Sequence, residues 1–152
     1  MEIKRYRFNR KVGKIYLESL SGLIEIGSEM KVIILWAGDV VFGKPFPHLP
    51  AQNWVQLTFL DNQGNWCYAL LNSGNTNALY PWTEYRKKIE QSHQLLEIVT
   101  TIGFDSSESY YGWFDYKFSG VLGKPGLGDR MRQLIRDTKQ FSLVDLDINL
   151  PI

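Results

Sequence analysis

The feature that most constrains this chain is a succession of short runs with a period of two between Met30 and Leu122, broken by a single run with the period of a helix. Met30–Ala37 (MKVIILWA) is almost continuously apolar and β-branched, which reads as a buried strand. Pro45, Pro47 and Pro50 keep a central strand out of the stretch that follows, so 39–52 reads as a loop. Asn53–Leu60 alternates, with Val55, Leu57 and Phe59 on one side and Trp54, Gln56 and Thr58 on the other. DNQGN at 61–65 signals a turn, and Trp66–Asn72 returns as its hairpin partner. Pro81 suits the first turn of a helix whose stripe is Trp82, Tyr85 and Ile89. Leu95–Phe104 and Tyr110–Phe118 alternate again around a turn at 105–109.

The flanks are simpler. Residues 1–27 hold two or three extended stretches: Glu2–Phe8, Lys14–Glu18 and Leu23–Ile26. After the barrel-like region, GVLGKPGLG at 120–128 reads as a hinge, and Asp129 as the cap of a helix over Asp129–Lys139. Phe141–Ile152 is an alternating acidic and apolar tail. We therefore expect one domain of the mainly β (α+β) class. Its parts are a basic β extension at 1–27, a five-stranded barrel core at 28–122 with a helix between its third and fourth strands, and a hinge, amphipathic helix and tail at 123–152.

That order of elements resembles the OB barrel of single-stranded nucleic-acid-binding proteins, whose strand 2–3 face receives oligonucleotides or oligosaccharides. The resemblance extends to the C-terminus. Asp145, Asp147, Leu150, Pro151 and Ile152 resemble the acidic, proline-plus-hydrophobic tip of bacterial single-stranded DNA-binding proteins, although two acids are few and Ile replaces the usual Phe. In that family the tip docks into partner enzymes, which implies a protein partner for these five residues.

The residues themselves point the same way. Aromatic side chains make up 14% of the chain, five of them Trp. Alternation assigns Trp54, Trp66, Tyr68, Tyr111 and Trp113 to the outer face, where bases could stack at ~1–3 kcal/mol each. Net charge is only +1, but residues 1–14 carry +5 and leave −4 for the rest. Lys4, Arg5, Arg7, Arg10 and Lys11 from that arm, with Lys117, are the expected phosphate contacts. The loop 38–52 offers Lys44, Phe46 and His48 as a clamp, whereas Asp105 and Glu108 make the opposite turn acidic.

Three functions compete. The first is non-catalytic binding of single-stranded DNA or RNA. The second is a protein-interaction module, or a homo-oligomer, in which the same rings form an interface or lie under the chain's own N-terminal hairpin or C-terminal helix. The third is a small-ligand barrel with an apolar cavity. An enzyme is not expected, nor a cofactor or metal. His48 and His93 lack partners at metal spacing, and the single cysteine, Cys67, falls on an inner face as an inert thiol. A lone cysteine also fits a reducing, cytoplasmic setting. No apolar run reaches membrane-spanning length, and the basic N-terminus lacks the hydrophobic stretch of a signal peptide.

Overall fold

A computed structural model of the chain describes residues 3–74, 77–110 and 112–138, with backbone alone at 106–110. Nine strands and two helices are present among them. The strands are β1 (Lys4–Asn9), β2 (Lys14–Ser19), β3 (Gly22–Gly27), β4 (Glu29–Ala37), β5 (Val41–Gly43), β6 (Gln52–Leu60), β7 (Trp66–Asn72), β8 (Ile98–Tyr110) and β9 (Trp113–Leu122). Helix α1 (Tyr80–Glu90) lies between β7 and β8 in the chain, and α2 (Leu127–Asp137) follows β9. One mixed sheet runs β3-β2-β1-β7-β6-β4-β8-β9, with β5 added to β6. Every pair is antiparallel except β1 with β7.

The sheet curls into a half-barrel because β4 divides its pairing. Glu29–Val32 bond to β8, while the second half, from Ile33 to Ala37, bonds to β6 across a bulge at Ile34 to Trp36. A bulge bends a strand and increases its twist. The curl brings the β1–β2 turn onto the start of β9. Phe114 N donates to Arg10 O at 2.7 Å. Gly13, at φ +67°, lies so close to the Phe114 ring that a Cβ would stand 3.1 Å from it.

Inside the curl lies the main core. It takes Tyr6, Phe8 and Ile15 from β1 and β2, Val55, Leu57 and Phe59 from β6, and Cys67, Ala69 and Leu71 from β7. Ile102, Phe104 and Tyr116 close the far side, and Phe8 meets the rings of Phe104 and Tyr116. Trp82 and Tyr85 of α1 plug one end, where the Tyr85 hydroxyl lies 2.7 Å from Thr100 Oγ1. A second cluster forms on the outer face, where Met131, Leu134 and Ile135 of α2 pack with Leu60, Trp66, Leu35 and Ile3. No helix of the described residues is long and apolar enough to cross a membrane.

Several local expectations change. The proline-rich loop contains the short strand β5, pairing Val41 with Trp54, because all three prolines come after it. Residues Leu95–Glu97 form a 3-10 turn, so β8 starts at Ile98. Helix α2 starts at Leu127 behind Gly126 at φ +87°, and Asp129 is not its cap; it lies in the first turn, 2.8 Å from Arg132. The free edge of β7, where a fifth barrel strand would close, is taken by β1.

Candidate binding surface

The largest correction concerns the rings. Strand alternation does place Trp54, Trp66 and Tyr68 opposite the core-facing side chains, yet they are only 3, 9 and 5% exposed. The outer face of the central strands is itself covered. The loop after β5 covers Trp54: its ring is 5.5 Å from Phe46 and its indole N–H donates to Gly43 O at 3.1 Å. Helix α2 covers Trp66. Arg5 lies over the Tyr68 ring at 4.9 Å and also bonds its hydroxyl. These three rings are packing elements, and bases cannot reach them in this arrangement.

The basic arm is likewise drawn into the fold. Arg5 and Arg7 both pair with Glu18 of β2, and Arg7 also faces Phe46 at 5.6 Å. Arg10 is 3% exposed. Its Nε donates to Phe114 O at 3.1 Å and its Nη1 to Ser73 O at 3.3 Å. Its guanidinium lies between the rings of Trp113 and Tyr116, at 5.7 and 5.8 Å. A side chain expected at a phosphate is instead a clasp, because the β1–β2 turn that carries it is folded onto the start of β9. Lys11 and Lys117 are exposed, and Trp113 is 42% exposed. Arg10 and Trp113 are therefore brought together, with Lys11 next in the chain, while Lys117 stands further along β9. Tyr111 lies outside the described residues, as do Asp145, Asp147, Leu150, Pro151 and Ile152.

What sequence reasoning missed is the end of the sheet. Among the described residues β3 (GLIEIG) pairs only with β2, so its other edge has no strand partner there. Leu23, Ile24 and Ile26 are about half exposed there. Proteins usually blunt such edges with lysine, proline or a bulge; β3 carries Glu25 and an irregularity at Ile26, where its register with β2 shifts, but no lysine or proline. The composition of the run was legible, but its edge position depends on which strands find each other.

Beside this edge, at the open end of the half-barrel, is a cleft of about 470 Å3. Tyr6, Leu17, Ile26 and Met30 form its apolar part. Lys4, Lys31 and Glu29 also line it, and none of the three belongs to an ion pair among the described residues. Asp61 stands there too, engaged by its own turn and by Tyr6. Its Oδ1 accepts the N–H groups of Gln63 and Asn65, each at 2.9 Å, and its Oδ2 accepts Asn65 Nδ2 at 3.1 Å and the Tyr6 hydroxyl at 3.3 Å. Burial by itself would raise the Asp61 carboxyl, but the bonds from Asn65, Gln63 and Tyr6 outweigh it and hold the group below the usual carboxylate range. Burial raises the Tyr6 hydroxyl, and the adjacent Cys67 and Asp61 raise it further. The Cys67 thiol, buried and beside Asp61, is pushed up to about 12. A cysteine held in that state is a poor nucleophile.

Comparison with protein-family models, with curated proteins and with solved structures finds no match to this chain. Among the described residues no group of three or more His, Cys, Asp or Glu side chains is arranged to hold a metal ion.

Proposed function

We propose that this chain is a non-catalytic interaction module of a reducing, cytoplasmic setting that receives an extended polypeptide strand along β3. The observation that supports this reading is the half exposure of Leu23, Ile24 and Ile26 on a strand with one edge unpaired among the described residues. Strand addition supplies main-chain hydrogen bonds for affinity, and pockets for alternate side chains supply specificity. The cleft beside Ile26 is such a pocket, apolar within and lined also by Lys4 and Lys31 together with Glu29 and Asp61. A partner strand with alternate apolar residues and flanking polar or charged groups fits that chemistry.

Selection of a displayed random-peptide library on the purified chain tests the reading. The expected result is enrichment of alternating apolar and polar sequences that no longer bind when Ile24→Lys and Ile26→Lys are introduced. Equal enrichment on the wild-type and doubly substituted chains would end it.

A second reading, single-stranded nucleic acid, is favoured by Trp113. Its exposed indole adjoins Arg10, with Lys11 next to it in the turn. We read the order β4, β6, β7, α1, β8, β9 as that of an OB barrel in which β1 fills the place beside β7. One ring offers one stacking site of ~1–3 kcal/mol, a weaker platform than five. Oligonucleotide titration that quenches Trp113 fluorescence, and weakens with salt, would support it; no quenching at low salt would exclude it.

A further inference from the structure

We propose that the strand received by β3 is basic and apolar by turns, with arginine or lysine at every second position and large apolar residues between. This rests on the reading of β3 as a docking edge and names the chemistry of its partner. The chain's own β1 carries the argument. β1 (KRYRFN) has that pattern, and it lies along β2 with Tyr6 opposite Leu17 and Phe8 opposite Ile15, all on the core side. On the other face Arg5 and Arg7 both pair with Glu18. The sheet thus holds one worked example of the strand that an aliphatic strand with a single glutamate accepts.

β3 repeats at the edge what β2 offers to β1. Ile24 stands opposite Leu17 and so shares the core side, and Ile26 lines the cleft with Leu17 and Tyr6. Glu25 stands opposite Tyr16, on the face that carries Glu18. Each strand therefore presents two aliphatic side chains on one face and one glutamate on the other. They differ in what covers them. Ile15 is buried, whereas Ile24 and Ile26 are 48 and 43% exposed. Glu18 holds two guanidinium groups, whereas the exposed Glu25 forms no ion pair among the described residues. Lys14, which shares the face of Tyr16 and Glu18, stands opposite Asn9 of β1 and is not paired with Glu25. The cleft adds no charge of either sign overall, because Glu29 and Asp61 match Lys4 and Lys31. The charge left over along the open edge is the Glu25 carboxylate. Opposite charges on neighbouring strands stabilise their pairing and like charges oppose it, so this edge selects a cationic strand.

The test titrates the full chain with two fluorescent peptides. One is IKRYRFNR, the sequence of residues 3–10; the other is the same peptide with Arg5→Glu and Arg7→Glu. The basic peptide should bind at least ~5-fold more tightly than the acidic one. Glu25→Lys in the protein should invert that order, and because unfolding cannot invert a preference this variant stays informative. Ile24→Lys with Ile26→Lys should abolish binding of both peptides, which separates docking on β3 from exchange with β1 inside the sheet. Equal affinities, no binding of either peptide, or an order that Glu25→Lys leaves unchanged would overturn the basic partner. So would a mass that rises with protein concentration and falls on Ile24→Lys with Ile26→Lys, since the occupant would then be a second copy. If library-selected strands still bind at β3 after such a result, strand docking stands and only the chemistry of the partner falls; if no strand binds, the docking reading falls as well.

Discussion

Arg10 and Phe114 bind each other twice: the Phe114 amide donates to Arg10 O at 2.7 Å, and Arg10 Nε donates back to Phe114 O at 3.1 Å. This reciprocal bond joins the β1–β2 turn to the start of β9, two regions far apart in the sheet order. It holds the curl of the half-barrel in place. Arg10→Ala is expected to lower stability by ~2–4 kcal/mol, since charge-assisted bonds are worth more than neutral ones and the vacated space leaves carbonyls unpaired. Arg10→Lys should restore only part, because an ammonium lacks the planar fork. Urea unfolding with matched slopes measures both, and an Arg10→Ala variant as stable as wild type would refute the clasp.

Thr58 offers a test of opposite sign. Its hydroxyl is fully buried on β6 and finds no hydrogen-bond partner among the described residues. Thr58→Val should therefore stabilise the protein, by ~0.5–1.5 kcal/mol. A fall in midpoint temperature would mean that the hydroxyl is bonded in solution.

The indoles should divide by accessibility. Acrylamide should quench Trp36 and Trp113, which are partly exposed, and spare Trp54, Trp66 and Trp82. A chain carrying Trp36→Phe and Trp113→Phe is expected to show little remaining quenching. Trp66→Ala should cost ~3–5 kcal/mol and loosen α2, as truncation of a buried aromatic does. Strong quenching that survives the double substitution would contradict the covered outer face.

Acid should expose the role of Asp61. Its carboxyl titrates below the usual range in the folded chain because the turn bonds its charged form. A lowered folded value means the stabilisation is complete above the unfolded carboxylate range, near ~4, and is lost as pH falls through the folded value. Asp61→Asn should flatten that part of the stability profile. An unchanged acid limb would remove Asp61 from it.

Cys67 should behave in the opposite sense. Its thiol titrates near 12 when folded, above its ordinary value. Stability from the buried neutral thiol is complete below ~8.5 and declines as pH rises from there towards the folded value. At pH 8 a thiol reagent should label Cys67 only as fast as the fold opens. Immediate stoichiometric labelling of native protein would disprove its burial.

How much of this was legible beforehand depends on the range of the interaction involved. The strands at Met30–Ala37, Asn53–Leu60 and Trp66–Asn72, the helix behind Pro81 and the buried Cys67 follow from period, turn chemistry and proline placement, all of which act within a few residues. The stripe Met131, Leu134 and Ile135 was visible as an apolar helix face in the same way. What that stripe covers was not: Trp66 stands 65 positions before Met131, and only tertiary packing brings them together.

The same limit explains the candidate site. Alternation established that Trp54, Trp66 and Tyr68 share the side away from the core, but alternation assigns a face and not its exposure. A strand's two faces repeat every second residue, so the code is local; a loop, a helix and Arg5 lying over those rings are contacts across the whole chain. Pairing of β1 with β7 moved the cationic arm into the sheet and left β3 at its rim. Local sequence set the strands and their sidedness. The order in which they paired decided which rings were sealed and which edge stayed open, because an edge exists only by virtue of the neighbour a strand lacks.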